Sequence, residues 1–318
     1  MSNCKRLLYA AMFIGVLLSN PSAPLAANTL KAETVFATRW GSGVGEFYLN
    51  PDPMASQVPE DFELGKEIII PDGPGRGFQL FNMTTRRWKR VKVGPKGDLP
   101  WKAVRDVAGS IYYIAVEGSA REIYVLPANR GPVTAFGQGM IKGYARYIAT
   151  DGVSHLAVLD TTNALIIFSL EGYLVGRIES EGDVARDGVA YAPSGELLVF
   201  SQKRNYKNSP IRKWFQVYAR DGAPIQEISG EFLTWFVGID RAGQIYTVDG
   251  TFNQVRVVGS DGQLKENLLL PVIPNSMKDV IWDQSGAKNI LKVDADGTIY
   301  QLLGLKKKGL LLRRLTRN

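Results

Sequence analysis

The sequence predicts an all-β chain folded as a six-bladed β-propeller of four-stranded antiparallel blades. Three observations carry that expectation. A turn glycine recurs at Gly109, Gly152, Gly195, Gly243 and Gly286, every 43 to 48 residues. A second turn, closed by an aspartate, recurs at Asp72, Asp160, Asp249 and Asp294, and a third at Glu171-Gly172, Asp221-Gly222 and Asp261-Gly262. Between these turns lie short apolar or alternating runs such as GFQLF from Gly77, LIIF from Leu165, WFQVY from Trp214 and QVRVV from Gln254. Short β-rich runs punctuated by Asp, Asn and Gly form antiparallel meanders. One meander of this length cannot bury both faces, so copies must stand beside it, and a period of about 40–45 residues is that of a propeller blade.

The clearest copy runs from Gly238 to Leu264. A short apolar strand enters the turn Asp240-Arg-Ala-Gly243, and an alternating strand follows from Gln244 to Asp249. A turn around Gly250 and Asn253 leads to a third strand, Gln254 to Val258, and then to Ser260-Asp261-Gly262. The phrase D-x-x-G-x-I-Y-x-x-D, here Asp240, Gly243, Ile245, Tyr246 and Asp249, resembles the NHL-repeat family of six-bladed β-propellers. The stretch WGSGVGEFYLNPDP, Trp40 to Pro53, resembles the glycine-rich loop ahead of an NHL blade. Copies two and four depart from the pattern: Glu117-Gly118 stands where an aspartate is expected, and copy four carries an inserted basic hairpin. The resemblance implies the fold. It leaves the activity open, because propellers host many unrelated functions.

In chain order, residues 1–27 read as a secretory signal, with Lys5 and Arg6 ahead of an apolar core from Leu7 to Leu18 and small residues at Ala26-Ala27. That core is too short to span a bilayer comfortably, and no later segment is apolar enough to do so. The expected location is therefore periplasmic or extracellular. The single cysteine, Cys4, lies inside this segment, so the expected mature chain has neither disulfide nor thiol and is held by packing. Residues 28–318 are then one propeller domain. Glu33 to Trp40 alternates and suits the outer strand of the last blade, although Leu310 to Leu315 offers itself for the same slot. After a Gly- and Pro-rich connection, the blades are expected at 62–94, 98–137, 140–180, 184–230, 232–270 and 277–315.

In this architecture the first strands of the blades line a central channel. Residues at and just before their starts cluster at one mouth: Asp61, Trp101, Lys102, Tyr144, Arg146, Arg186, Asp187, Trp235, Lys278 and Asp279. Aromatic and charged groups converging in a concavity form a candidate binding site; the competing reading is blade packing and mutually paired charges. Six-bladed hydrolases of the gluconolactonase-like kind hold a divalent cation such as calcium on channel carboxylates. Asp61, Asp187 and Asp279 are the candidates here, with Arg186 and Lys278 placed to neutralise them.

Other motifs read as structure. His155 is the one histidine, no G-x-S-x-G elbow accompanies it, and a histidine-rich zinc site is excluded by counting. Asp72-Gly-Pro-Gly-Arg-Gly77 resembles a phosphate loop, but it lies between strands with no helix to follow, and Asp294-Ala-Asp296-Gly297 lacks the later acidic ligand of a calcium loop. Asn82-Met83-Thr84 is a glycosylation sequon for a eukaryotic source only.

The net charge is +7, falling to +5 without Lys5 and Arg6, which is no nucleic-acid footprint. Basic runs at Arg86 to Lys92, Lys203 to Lys213 and Lys306 to Lys308 suit an acidic polymer or anionic membrane, or equally the protection of outer strands from edge pairing. The expectation is a monomeric, exported, non-catalytic module without cofactor that binds a protein or an anionic envelope polymer. The alternatives are a metal-dependent hydrolase and a scaffold subunit.

Overall fold

The computed structural model describes residues 27–47, 59, 61–94, 99–117, 120–203, 212–249, 253–271, 291–305 and 309–318. All regular elements among them are strands, and no helix is long and apolar enough to cross a membrane. The strands form a six-bladed β-propeller of four-stranded antiparallel blades. Blade 3 shows the plan: Ala145–Thr150, His155–Asp160, Leu165–Ser169 and Leu174–Ile178 pair in sequence order from the channel outward. In blade 1 the innermost strand is reduced to a bridge between Glu63 and Ile69.

The apolar residues sort by the two-residue period of a strand. In blade 3, Leu156 and Val158 face blade 2, while Ala157 and Leu159 face blade 4. Every pair of neighbouring blades is joined this way by its own buried cluster. A blade is thus buried on both faces only because a blade stands on each side of it.

The turn after the first strand explains the repeated phrase. The Gly243 N–H donates to the Asp240 carbonyl at 3.0 Å, with Gly243 at φ +75°, a conformation that glycine adopts at little cost. The Asp240 carboxylate accepts the Gln244 N–H at 2.9 Å and the Tyr246 hydroxyl at 3.0 Å. The same turn is made by Asp106, Gly109 and Tyr112 in blade 2, where Tyr112 reaches Asp106 at 3.5 Å. Blade 6 makes it with Asp294 and Gly297, and the Asp294 carboxylate accepts the Thr298 N–H at 3.0 Å.

This corrects the expected phase of the last blade. Its first strand is Leu291–Val293 and Asp294 closes that strand, not the second. Gly286, expected as the turn glycine, lies outside the described residues. The rest of the blade is Ile299–Leu305, Gly309–Thr316 and the N-terminal strand Lys31–Ala37, which is outermost and antiparallel to Gly309–Thr316. Both expected terminal strands therefore find a place, one as third strand and one as fourth. Ahead of them Ala27–Thr29 adds in parallel to the outer strand of blade 5, Leu264–Leu269. The first and last described strands are thus tied into adjacent blades, and Lys31–Ala37 beside Gly309–Thr316 closes the ring.

Candidate functional site

The first strands leave a channel of about 250 Å³ between them, lined by Asp61, Glu63, Lys102, Val104 and residues 147–150, 187–191, 235–239 and 291–293. Polar groups gather where these strands begin. Lys292 Nζ lies 2.9 Å from Asp61 Oδ1 and 3.2 Å from Glu63 Oε2, so the ammonium of blade 6 is clasped by two carboxylates of blade 1. Burial, reinforced by the Asp61 charge, holds the Glu63 carboxyl above its ordinary value despite Lys292. Burial works against the Lys292 ammonium, but the two carboxylates outweigh it and push its pKa up.

On the other side, Arg146 Nη2 lies 2.8 Å from Asp187 Oδ1, and its Nη1 donates to Asn163 Oδ1 at 3.3 Å. Gln202 Nε2 donates to the second oxygen of Asp187. Lys102 is buried, with its Nζ 4.1 Å from the Tyr147 ring and 4.5 Å from the Trp101 ring. Burial also raises the Tyr147 phenol above its ordinary value. Trp235 stands at the start of the blade 5 strand with Lys213 Nζ 5.9 Å from its ring.

Of the residues expected at the mouth, the structure brings Asp61, Lys102, Asp187 and Trp235 to the channel wall, with Arg146 bound to Asp187 behind it. Strand alternation sends others elsewhere. Arg186, next to Asp187, turns into the seam between blades 3 and 4 and donates to the carbonyls of Asn163 at 2.9 Å and Ile178 at 2.7 Å. A bulge between Arg186 and Gly188 sets this division. Trp101 packs against the core of blades 2 and 3, where Arg121 stacks on its ring at 4.1 Å. Tyr144 is exposed and lines a separate side pocket with Arg121. Lys278 and Asp279 lie outside the described residues. From blade 6 the described wall residue is Lys292; it, Glu63 and Tyr147 are not among the residues expected from the sequence. Lys292 was findable, since Asp294-Ala-Asp-Gly-Thr-Ile-Tyr300 repeats the turn phrase and puts the first strand just before it.

Towards the far end the lining becomes apolar, with Val189, Val237, Ile239 and Val293. Gly238 belongs here for a packing reason: a Cβ on it would sit 2.5 Å from Val293 Cγ1, so blades 5 and 6 could not approach as they do. The channel carboxylates are poor metal ligands as they stand. Asp61 and Glu63 share Lys292, and Asp187 is taken by Arg146 and Gln202. Asp279, the third expected ligand, is not among the described residues. Those residues contain no group of three or more His, Cys, Asp or Glu able to hold a metal.

His155 sits at a turn beyond the opposite end of the channel. Its Nδ1 is 2.7 Å from Ser154 Oγ, and both surround the Asp151 carboxylate, which also pairs with Arg220 at 3.0 Å. Burial opposes the Asp151 charge, but the N–H groups of His155, Ser154 and Val153 outweigh it and hold its pKa at about 2. With the serine hydroxyl bonded to both the carboxylate and the ring, the cluster is a turn cap. The histidine does not stand between acid and nucleophile as a relay would require. Of the basic runs, Arg86 to Lys92 falls on the outer strand of blade 1, Trp88–Lys92, where Arg90 is held by the Gly75 carbonyl at 2.6 Å; residues 204–211 and 306–308 are outside the described set.

No protein family and no curated protein matches the sequence. Solved structures match in fold. Hydrazine synthase of Kuenenia stuttgartiensis aligns at TM-score 0.54 and 12% identity over 79% of this chain and 82% of that one. Virginiamycin B lyase of Staphylococcus aureus aligns at 0.52 and 12% over 91% and 99%. A luciferin-regenerating enzyme aligns at 0.54 and 12% over 90% and 95%. At such identity the likeness extends to the propeller alone.

Proposed function

We propose that this chain is an exported, NHL-like propeller that recognises a protein or an anionic envelope polymer across the channel mouth, without chemistry of its own. The observation that carries this reading is the state of the channel carboxylates. Asp61, Glu63 and Asp187 are each engaged by a cation or amide of the protein, which leaves them poor ligands for a metal. The mouth instead presents aromatic rings beside cations, Trp235 with Lys213 and Tyr147 with Lys102 and Arg146. Trp, Tyr and Arg carry a large share of interface energy, because they bury much area and still offer hydrogen bonds. The apolar segment after Lys5 and Arg6 is what supports the export part of this reading.

The test is capture from an envelope extract by the purified chain, followed by the variant Trp235→Ala with Arg146→Ala. Captured partner is expected to fall by about 2–4 kcal/mol in binding, while the melting curve keeps its single transition. A folded double variant that captures its partner as well as the wild type would move the binding site away from the mouth. The outer strand Arg86 to Lys92 would then be the next surface to alter. Activity that is lost to a chelator would favour the hydrolase instead.

A further inference from the structure

The turn after the third strand of a blade is built one way in blades 3, 4 and 5 and another way in blade 2. In the first three a glycine N–H donates to the carbonyl three residues back, Gly172 to Ser169, Gly222 to Ala219 and Gly262 to Gly259. These glycines have φ of +94°, +97° and +76°. In blade 2 the same bond, to the Pro127 carbonyl at 2.9 Å, is made by Arg130. Its φ is +60°, a left-handed conformation that strains an arginine and leaves a glycine at ease. The turn itself gives no reason for a large side chain here. Backbone strain that is kept in such a place points to a use for the side chain.

Arg130 lines a pocket of about 380 Å³ at the outer end of the seam between blades 1 and 2. The outermost strand of blade 2, Thr134–Phe136, has three residues, against five in Trp88–Lys92 of blade 1. Val91, Leu126, Pro132 and Val133 make the pocket wall aliphatic, and Lys92 stands exposed beside them. Among the described residues no acidic side chain lines the pocket. Arg130 Nη1 is buried and finds no hydrogen-bond partner among them. A buried donor left unpaired is costly, the more so on a charged group. Water would satisfy that donor as well, but water calls for no arginine where the sister turns carry glycine.

We infer that this pocket binds an aliphatic monocarboxylate. Its carboxylate lies against Arg130 beside Lys92, and its hydrocarbon chain runs along Val91, Leu126 and Val133. A guanidinium matches a carboxylate through two parallel hydrogen bonds, and the aliphatic wall rewards a chain that leaves water. An inorganic anion would leave that wall wet, and a neutral hydrocarbon would leave Arg130 unpaired. A peptide fits less well, because its amides would need partners that the loop has already used. The Arg130 N–H donates to Pro127, the Gly131 N–H donates to Asn129 Oδ1 at 2.9 Å, and Pro132 has none. The pocket shares no residue with the channel wall, so this inference stands apart from recognition at the mouth.

Calorimetric titration of the full chain near pH 7 with four probes tests it: octanoate, acetate, octan-1-ol and N-acetyl-L-leucine. Octanoate is expected to bind. Acetate, which lacks the chain, and octan-1-ol, which lacks the charge, should each be at least about tenfold weaker. N-acetyl-L-leucine, which mimics a peptide terminus, should also be weaker than octanoate. Arg130→Gly restores the glycine of the sister turns, so its melting temperature is expected to hold or rise. In that variant octanoate should weaken at least about tenfold and octan-1-ol should be unchanged. Absence of octanoate binding, or octan-1-ol binding as tightly, overturns the inference. So does Arg130→Gly with wild-type affinity for octanoate. A lowered melting temperature in Arg130→Gly would mark the arginine as serving the fold and overturn it equally. N-acetyl-L-leucine binding at least as tightly as octanoate would overturn the choice of ligand in favour of a peptide terminus.

Discussion

Removal of the Lys292 ammonium would leave Asp61 and Glu63 facing each other in the channel. Their side chains are 8% and 25% exposed, so water relieves only part of the repulsion. Lys292→Met is expected to destabilise the fold by about 2–4 kcal/mol at pH 7, near the lower end for a broken buried pair. The loss should shrink as the pH falls and Glu63 protonates. Glu63 by itself behaves in the opposite sense. Its folded pKa lies above the ordinary 4.5, so its contribution to stability is complete below that value and is lost as the pH rises through the folded pKa. Glu63→Gln, which keeps the shape of the protonated form, should therefore match or exceed wild-type stability at pH 7, with the advantage disappearing below about pH 4.5. Urea denaturation at pH 4 and pH 7 measures both effects. A stabilised Lys292→Met or a strongly destabilised Glu63→Gln would contradict this account of the clasp.

The repeated turn is the element that sets one strand against the next. Its aspartate is bonded to an N–H four residues on, and its tyrosine returns from the following strand to the same carboxylate. Nothing lies within 4 Å of the space that a Cβ on Gly243 would occupy. A side chain there meets no clash, and only the φ of +75° resists it. Gly243→Val is expected to cost about 1–3 kcal/mol through backbone strain alone. Thermal unfolding would check this, and an unchanged midpoint would mean that the turn relaxes into another conformation. These turns were readable in the sequence because each is closed by groups at most six residues apart. In the last blade, equal spacing past Gly243 points to Gly286, whereas the turn phrase itself resumes at Asp294.

The whole ring depends on a strand from the start of the chain. Phe36 is 5% exposed and packs edge-on against Phe81 at 5.1 Å and Trp88 at 4.8 Å, joining blade 6 to blade 1. Phe36→Asp should destabilise by at least about 4 kcal/mol and expose strand edges to aggregation, whereas Glu33→Ala, on the solvent side of the same strand, should cost less than about 1 kcal/mol. Equal stability of the two variants would mean that this strand does not hold the ring shut. The period, the turn chemistry and the alternating runs determine a propeller of six blades from the sequence alone, since they act over a few residues at a time. Only the tertiary structure decided which members of a mouth pair, such as Arg186 and Asp187, face the channel, because a single bulge reverses the alternation. Only it, too, placed Lys292 against Glu63, 229 residues apart, because that contact exists only once the ring has closed.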